Sequence, residues 1–201
     1  MLRCAITDGT ATAFVNATQI ERLQNRVRRW AADGIDFIQL REKNVDTGAL
    51  LMLTEGVMET LREVQSQTKL LVNARADVAV AARAHGVHLT AHRDELTPQQ
   101  VRSLFVHARL PSPIVSVSCH TPADIAGARH HAADFILFGP VFEKRIDGEL
   151  VAAGVGLEAL SLACAVAQPV PLLALGGVTS ENTGACMAAG AAGVAGIRTF
   201  A

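Results

Sequence analysis

The 201-residue chain contains no tyrosine, one tryptophan and only 4% aromatic residues, and charged residues make up 18%. Lysine and arginine form no run longer than Arg28-Arg29, and the net charge is −1. The sequence therefore lacks the basic stretches that would indicate binding to nucleic acid or to an anionic membrane. We expect its partners to be small molecules.

Cysteine is also scarce, and no stretch is long and apolar enough to span a membrane. The N-terminus lacks the basic and apolar regions of a signal peptide, so we expect a soluble, cytoplasmic protein. No CxxC pair occurs, so the sequence predicts neither a zinc site nor a disulfide framework. The four cysteines are Cys4, Cys119, Cys164 and Cys186.

Half of the residues are apolar, and short apolar runs alternate with longer helical segments along the whole chain. This alternation predicts one α/β domain over residues 1–201, a parallel (β/α)8 TIM barrel. The predicted strands are Leu2–Thr7, Ile35–Leu40, Leu70–Asn73, Val87–Leu89, Ile114–Ser118, Phe135–Phe138, Val170–Leu175 and Val194–Ile197. The predicted helices are Gln19–Ala32, Gly48–Val64, Asp77–Ala84, Pro98–Phe105, Ala123–His131, Leu157–Ala167 and Glu181–Ala189.

Two segments depart from a regular barrel. The sequence stops at Ala201, directly after the eighth strand, so we expect the eighth helix to be missing or truncated. Apolar surface left bare there would suit a second subunit, which makes a homodimer one expectation. The longest irregular segment runs from Gly139 to Gly154, and loops of this length are usually functional. Its charged residues Glu143 and Lys144 are candidates for ligand contact.

In such barrels the chemistry lies at the C-terminal ends of the strands. The second strand ends with Gln39, Arg41 and Lys43 on one side, three donors that suit an anionic ligand. The alternative is that Arg41 and Glu42 form an ordinary salt bridge at the rim, which would contribute about 0–1 kcal/mol. The third strand places the polar Asn73 at the same end.

The fifth strand ends with Ser118 and His120 on one side. An imidazole at this position can transfer protons near neutral pH. The alternative is that His120, together with Thr121, caps the next helix. His88, inside the fourth strand, is interpreted as an interior hydrogen-bonded residue. The remaining histidines are interpreted as surface residues: His85, His92, His107, His130 and His131.

Two glycines, Gly176 and Gly177, directly follow the apolar run Val170–Leu175 and precede a helix. Glycines there let backbone N–H groups approach an anion, and a helix N-terminus adds partial positive charge. Barrels often hold a phosphate in the loops after their seventh and eighth strands, and the eighth strand here ends at Arg198. The alternative is that the glycines only form a tight turn.

In their order along the chain, the strand ends resemble the thiamine phosphate synthase and TenI family. The resemblance covers essentially the whole sequence. The motifs that carry it are ITD at Ile6–Asp8, QLREK at Gln39–Lys43, Asn73-x-Arg75-x-Asp77, GVHL at Gly86–Leu89, VSCHT at Val117–Thr121, ADFILFGPVFE at Ala133–Glu143, LALGGVT at Leu173–Thr179 and GAAGVAGI at Gly190–Ile197.

The resemblance implies a barrel that binds a thiazole phosphate in thiamine biosynthesis. Members either join a pyrimidine methyl diphosphate to the thiazole phosphate with magnesium, or convert a thiazole carboxylate phosphate tautomer to its aromatic form. The residues implied to surround the phosphate are Gly177, Gly196, Ile197 and Arg198. The residues implied to line the other half of the pocket are Gln39, Arg41, Lys43, Asn73 and Ser118.

This chain departs from the synthase pattern at three places. Synthases usually carry Asp after the Asn of strand three, where this chain has Ala74, and a second Asp after strand four, where Asp94 is displaced. Their Thr-x-Thr-Lys is replaced by Lys144–Asp147, preceded by the TenI-like Phe142-Glu143. Because Mg²⁺ needs hard oxygen ligands, we expect no metal or other cofactor unless the chain is a synthase, in which case Asp94 would serve Mg²⁺.

These differences favour a TenI-like thiazole tautomerase. In that interpretation His120 is the catalytic proton carrier, and Arg41 or Lys43 meets the substrate carboxylate. One alternative is a thiamine phosphate synthase, and another is a regulatory protein that binds thiazole phosphate without turnover. An unrelated phosphate-binding barrel, such as a pentose phosphate epimerase, would not explain the QLREK and VSCHT strand ends together.

Overall fold

The computed structural model describes residues 1–9, 11, 15–90, 92, 94–146 and 149–200, without the side chains of 144–146, 149 and 151. The strands are β1 (Leu2–Ile6), β2 (Phe37–Leu40), β3 (Lys69–Asn73), β4 (Gly86–Leu89), β5 (Ile114–Cys119), β6 (Phe135–Phe138), β7 (Lys144–Ile146), β8 (Glu149–Ala152), β9 (Leu172–Leu175) and β10 (Gly193–Gly196). The helices within the described residues are α1 (Ala17–Ala32), α2 (Thr47–Glu63), α3 (Ala76–Ala81), α4 (Pro98–His107), α5 (Pro122–His130), α6 (Gly156–Ala167) and α7 (Ser180–Ala188).

Eight strands form a closed parallel barrel in the order β1-β10-β9-β6-β5-β4-β3-β2. The predicted α/β barrel is therefore confirmed, and each barrel strand overlaps one of the eight predicted strands. Within the described part of the chain no helix follows β10, whose last residue leads into a bend at Ile197 and Arg198.

By its internal contacts the chain divides into two compact units. The N-terminal unit comprises Cys4–His88 and Gln100–Ile114, and the C-terminal unit comprises Met1–Arg3, Leu89–Gln99 and Val115–Ala201. A single domain over residues 1–201 stays a prediction.

The N-terminal unit is built on the parallel pairing of β1 with β2, β2 with β3, and β3 with β4. Asn16 is the N-cap of its helix α1 and forms a capping box with Gln19: Asn16 Oδ1 accepts the Gln19 N–H at 2.9 Å, and Gln19 Oε1 accepts the Asn16 N–H at 3.1 Å. Leu23, Val27 and Trp30 repeat at helical spacing and form the buried stripe of α1. This stripe explains why a helix with so many charged residues packs stably.

The C-terminal unit pairs β5 with β6, β6 with β9, and β9 with β10. Pro122 occupies the first turn of α5 and Thr121 is its N-cap, so the helix begins where the Thr-Pro pair predicts. Apolar side chains from the strands and from α5, α6 and α7 form one buried cluster, which includes Ile136, Leu160 and Cys186.

The segment from Gly139 to Gly154 was predicted to be irregular, but part of it is regular. It contains an antiparallel hairpin in which β7 pairs with β8, with Arg145 opposite Leu150 and Ile146 opposite Glu149. The strands have only three and four residues, too few for an alternation of polar and apolar residues to appear. The sequence signal that was missed is the dipeptide Asp147-Gly148, a residue pair that is common in hairpin turns. Both residues lie outside the described part of the chain. None of the described helices combines the length and apolarity needed to cross a membrane.

Candidate functional site

The loops that follow β9 and β10 lie side by side in the C-terminal unit. Ala195 is in register with Leu175, so Gly196 comes level with Gly176 at the ends of two paired strands. The Thr199 hydroxyl donates to the Val178 carbonyl at 2.9 Å and joins the two loops directly. The structure thus brings together Gly177 and Gly196–Arg198, which the sequence analysis predicted as one phosphate site.

Gly177 is required by close packing as well as by backbone conformation. Its φ is +65°, and a Cβ there would lie 2.7 Å from the Phe142 Cβ and 2.9 Å from the Glu143 carbonyl oxygen. Gly176 has φ +90° and no room beside Pro140, where a Cβ would meet the Cα at 2.6 Å. A tight turn alone would require only the positive φ, so these contacts make the glycines part of a closely packed site.

Asn182 holds the Gly177 loop, a role that was not predicted from the sequence. Its Nδ2 donates to the Gly177 carbonyl at 2.9 Å, and its Oδ1 accepts the Thr179 N–H at 2.8 Å. One side chain therefore fixes both sides of the turn that leads into α7. The signal was available as a capping pattern, because Thr179 and Asn182 have the N-cap to N3 spacing.

Arg198 is the exposed cation of this region. Within the described residues no carboxylate lies within ion-pair distance of its guanidinium. A guanidinium without an internal partner, next to a glycine turn, suits a bidentate oxyanion such as phosphate.

His120 is anchored through one ring nitrogen. Nδ1 lies 2.6 Å from the Gly139 carbonyl oxygen. Because a carbonyl oxygen can only accept, Nδ1 carries the hydrogen, and the exposed ring leaves Nε2 available to accept or donate a proton. The backbone N–H groups of His120 and Thr121 both donate to the Asp124 carboxylate at 2.9 Å. The capping alternative therefore describes the backbone of His120, and its side chain remains free for chemistry.

The residue that accepts the His120 hydrogen bond is itself fixed. A Cβ on the buried Gly139 would lie 1.9 Å from the Leu175 carbonyl oxygen, so only glycine fits. The next N–H groups continue along the end of β9, from Val141 to Leu175 at 2.8 Å and from Phe142 to Gly176 at 3.0 Å. This run of contacts connects the imidazole anchor to the glycine turn. Ser118, two residues before His120, is half-buried on β5.

In the N-terminal unit, Gln39 and Asn73 form a polar pair at the ends of β2 and β3. Gln39 is 3% exposed, and its Nε2 donates to the Asn73 Oδ1 at 2.8 Å. Among the described residues, the buried Gln39 Oε1 has no hydrogen-bond donor. Buried acceptors are rarely left without a partner, so this oxygen is suited to a ligand or a water molecule.

Arg41 and Lys43 are the cationic residues that directly follow β2 in this unit. The Arg41 N–H donates to Thr7 Oγ1 at 2.8 Å, and no carboxylate among the described residues pairs with its guanidinium. Glu42 is 8% exposed and accepts the Ala11 N–H at 2.9 Å. The alternative of a rim salt bridge between Arg41 and Glu42 is therefore wrong. Lys43 is exposed in the turn after β2.

His88 is 2% exposed, so its predicted interior position is confirmed. Burial, and secondly the positive charge of Arg41, lowers the pKa of His88 from 6.5 to about 3. The prediction that His85 is a surface residue is wrong: it is half-buried, and its Nδ1 accepts the Leu70 N–H at 3.0 Å. Burial, and secondly Lys69, lowers the pKa of His85. Both imidazoles are neutral structural groups.

Among the described residues, no group of three or more His, Cys, Asp and Glu side chains could hold a metal ion. Ala74, at φ +58°, directly follows Asn73 and offers no oxygen ligand on its side chain. Asp8 and Asp77, which follow β1 and β3, are bonded to Arg26 and Arg75. Asp94 is exposed, and Glu143 is exposed after β6; the Lys144 side chain lies outside the described residues.

Known proteins similar to this chain include several that are named for thiamine-phosphate synthesis. Residues 5–200 match the TMP-TENI family, described as thiamine monophosphate synthase. A putative thiamine-phosphate synthase of Geobacter sulfurreducens is 40% identical over 168 residues, which are 82% of this chain and 72% of that protein. The thiamine-phosphate synthase of Chlorobium luteolum is 35% identical over 169 residues, 84% and 75% of the two chains. The solved structure of Pyrococcus furiosus thiamine phosphate pyrophosphorylase has 25% identity and a TM-score of 0.74, covering 98% of this chain and 85% of that one.

Proposed function

Because the chain belongs to the thiamine monophosphate synthase (TMP-TENI) family of thiamine biosynthesis, we propose that it is a thiazole tautomerase. Its reaction shifts a proton on a non-aromatic thiazole carboxylate phosphate and forms the aromatic ring. The observation that carries the proposal is the His120 imidazole, held at Nδ1 by the Gly139 carbonyl at 2.6 Å with Nε2 free.

His120 performs both proton transfers through Nε2. The neutral imidazole takes a proton from the non-aromatic ring system, and the resulting imidazolium returns one to the atom that completes the aromatic form. No proton is gained or lost overall, and aromaticity supplies the driving force. The hydrogen bond from Nδ1 to Gly139 keeps the ring oriented through both steps and stabilises the imidazolium.

The phosphate group binds at the glycine turns in this proposal. Backbone N–H groups of Gly177, Gly196 and Ile197 bind it, and the Arg198 guanidinium, which pairs with no carboxylate among the described residues, neutralises its charge. Arg41 or Lys43 binds the carboxylate, since neither cation has a carboxylate partner among the described residues. Gln39, Asn73 and Ser118 are proposed as the remaining ligand contacts.

The test is the tautomerase activity of the purified protein and of His120→Ala. Loss of one general acid–base group typically lowers kcat about 10²–10⁴-fold, while affinity for a thiazole phosphate measured by calorimetry should change little. His130→Ala, which removes another exposed histidine of the C-terminal unit, is the matched control and should keep full activity. Full activity in His120→Ala would refute this assignment.

Thiamine phosphate synthase is the second candidate, and the names of the Geobacter and Chlorobium relatives favour it. The tautomerase is preferred here on the side chains, because Ala74 stands after Asn73 and the carboxylates near β1 and β3 are bonded to arginine. In a synthase, Asp94 would have to serve Mg²⁺, and Lys144 or Arg145 would have to neutralise part of the diphosphate charge.

A coupling assay distinguishes the candidates. Thiazole phosphate, pyrimidine methyl diphosphate and Mg²⁺ are incubated with the protein, and thiamine phosphate is measured. We expect no product even at high enzyme concentration; product that disappears in Asp94→Asn would establish the synthase. Tight thiazole phosphate binding with neither activity would instead support a regulatory role.

A further inference from the structure

Arg75 makes a connection between two helices that the proposed reaction does not use. Its Nε and Nη2 donate to the two carboxylate oxygens of Asp77 at 2.8 and 2.5 Å. The same Nη2 donates to the Thr47 hydroxyl at 3.0 Å. Because the planar guanidinium is held on two sides by Asp77, its remaining direction toward Thr47 is fixed.

The side chain of Arg75 does not serve the helix that it precedes. Arg75 occupies the N-cap position of α3, where Ser, Thr, Asp or Asn normally satisfies an N–H group of the first turn. Arg75 makes no such cap hydrogen bond. The contact that it makes instead is with the start of α2, which lies 28 residues earlier in the chain.

Thr47 is the first residue of α2 and directly follows the connection from β2. This connection, residues 41–46, is called the β2–α2 loop and carries Arg41 and Lys43. At its first residue, the Arg41 N–H donates to Thr7 Oγ1 at 2.8 Å. At its last residue, the Asp46 carboxylate accepts the Ala49 N–H at 2.8 Å as the N-cap of α2. Arg75, which lies in the connection between β3 and α3, contacts Thr47 beside this end of the loop.

We propose that Arg75 is a positioning residue. By its hydrogen bond to Thr47 it orders the β2–α2 loop, and this order places Arg41 and Lys43 where they can contact the substrate. The identity of that substrate, and of the cations as its ligands, rests on the proposed function. The ordering of the loop does not, and it is tested separately.

Removal of the Arg75 guanidinium should affect the order of the β2–α2 loop rather than the stability of the whole fold, because its ion pair with Asp77 adds little to global stability. The Arg75 and Asp77 side chains are 36% and 61% exposed, and exposed ion pairs are worth only about 0–1 kcal/mol. Removing the guanidinium should leave the fold intact. What is lost is the hydrogen bond from Arg75 Nη2 to the Thr47 hydroxyl.

The kinetic test compares Arg75→Ala, Thr47→Val and the double variant. We expect KM to rise about three- to tenfold in Arg75→Ala, the value of one hydrogen bond in an equilibrium constant, with kcat nearly unchanged. Thr47→Val keeps the size of the side chain and should raise KM in the same direction. The double variant should be no worse than Arg75→Ala, because both changes remove the same bond.

The matched control is Arg62→Ala, which removes another exposed arginine ion pair, with Glu59 three residues away within α2. KM should not change in this variant. Arg75→Lys should recover little of the KM, because an ammonium cannot hold Asp77 through two parallel bonds and still reach Thr47.

A second measurement works without any enzymatic activity. Lys43 is exposed in the β2–α2 loop, so trypsin cleavage after Lys43, followed by mass spectrometry, reports local order. We expect cleavage several-fold faster than wild type in Arg75→Ala and Thr47→Val, and unchanged in Arg62→Ala. If the wild type lacks tautomerase activity but cleavage changes as described, the proposed function fails and the positioning role stands. Unchanged cleavage in Arg75→Ala would overturn the positioning role.

Discussion

The two units present their functional groups by different means. In the C-terminal unit the backbone is the scaffold: the Gly139 carbonyl holds His120, and the glycine turn at Gly177 leaves no space for a side chain. In the N-terminal unit side chains hold one another: Gln39 donates to Asn73, and Arg75 binds Asp77 and Thr47.

This difference determines how each unit responds to substitution. A backbone carbonyl cannot be replaced, and adding one methyl group where an atom lies within 2 Å must move the chain. A side-chain pair can be weakened in steps without moving the backbone. We therefore expect a stability defect from a small change at Gly139 and binding or pH effects from changes at Arg75 and His88.

The largest effect is expected for Gly139→Ala. The new Cβ would lie 1.9 Å from the Leu175 carbonyl oxygen, a backbone atom of a barrel strand that cannot rotate away as a side chain could. We expect the free energy of unfolding, measured by urea denaturation, to fall by at least about 3 kcal/mol, the upper end of overpacking penalties.

The matched control is Gly127→Ala in α5, where a Cβ would meet no atom within 4 Å. This change should be neutral or stabilise the protein by up to about 1 kcal/mol, because alanine favours the helix. Equal losses of stability in both variants would break the contrast, since the cost would then not come from the contact with Leu175.

The next largest effect is acid destabilisation through His88 of the N-terminal unit. Its pKa is lowered from 6.5 to about 3 in the folded state, so the unfolded chain takes up the proton first. The stability due to the neutral imidazole is fully present above pH 6.5 and is lost as the pH falls towards about 3. Between these two pH values, the free energy of unfolding falls by about 1.4 kcal/mol for each pH unit through such a group.

The control is His88→Gln, which keeps a polar side chain at the position but cannot titrate. Urea denaturation at pH 7.5 and pH 5 should give a smaller loss of stability for this variant than for wild type. The remaining loss includes His85, whose lowered pKa acts in the same direction. Identical pH dependence in the two proteins would show that His88 is not buried in its neutral form.

The smallest of these effects is expected for Asn182→Ala in the C-terminal unit. The change removes the donor to the Gly177 carbonyl and the acceptor for the Thr179 N–H, and should lower the free energy of unfolding by about 1 kcal/mol, as for a helix cap. Asn182→Asp keeps the acceptor and loses the donor, so its free energy of unfolding should lie between those of the wild type and of Asn182→Ala. Ser180→Ala, an exposed neighbour, should change stability by less than about 0.5 kcal/mol. An unchanged thermal midpoint in Asn182→Ala would mean that packing alone holds the turn.

Predictions from the sequence succeeded where information was local or periodic. Alternating segments predicted the barrel, and the apolar neighbours of His88 predicted its burial. They failed where a partner lies far along the chain. Glu42 seemed suited to its neighbour Arg41 by charge, yet it bonds to the backbone of Ala11, 31 residues away. No pattern of residue types specifies which backbone N–H group a buried carboxylate will meet.

The sequence by itself determined the strand and helix alternation, the family and the set of polar strand ends, because these depend on residue type and order. Only the tertiary structure decided that His120 Nδ1 faces the Gly139 carbonyl and that Arg75 reaches Thr47. These contacts join residues 19 and 28 positions apart. Hydrogen bonds require distances and angles within narrow limits, and those limits are met only after neighbouring strands fix the directions of the chain.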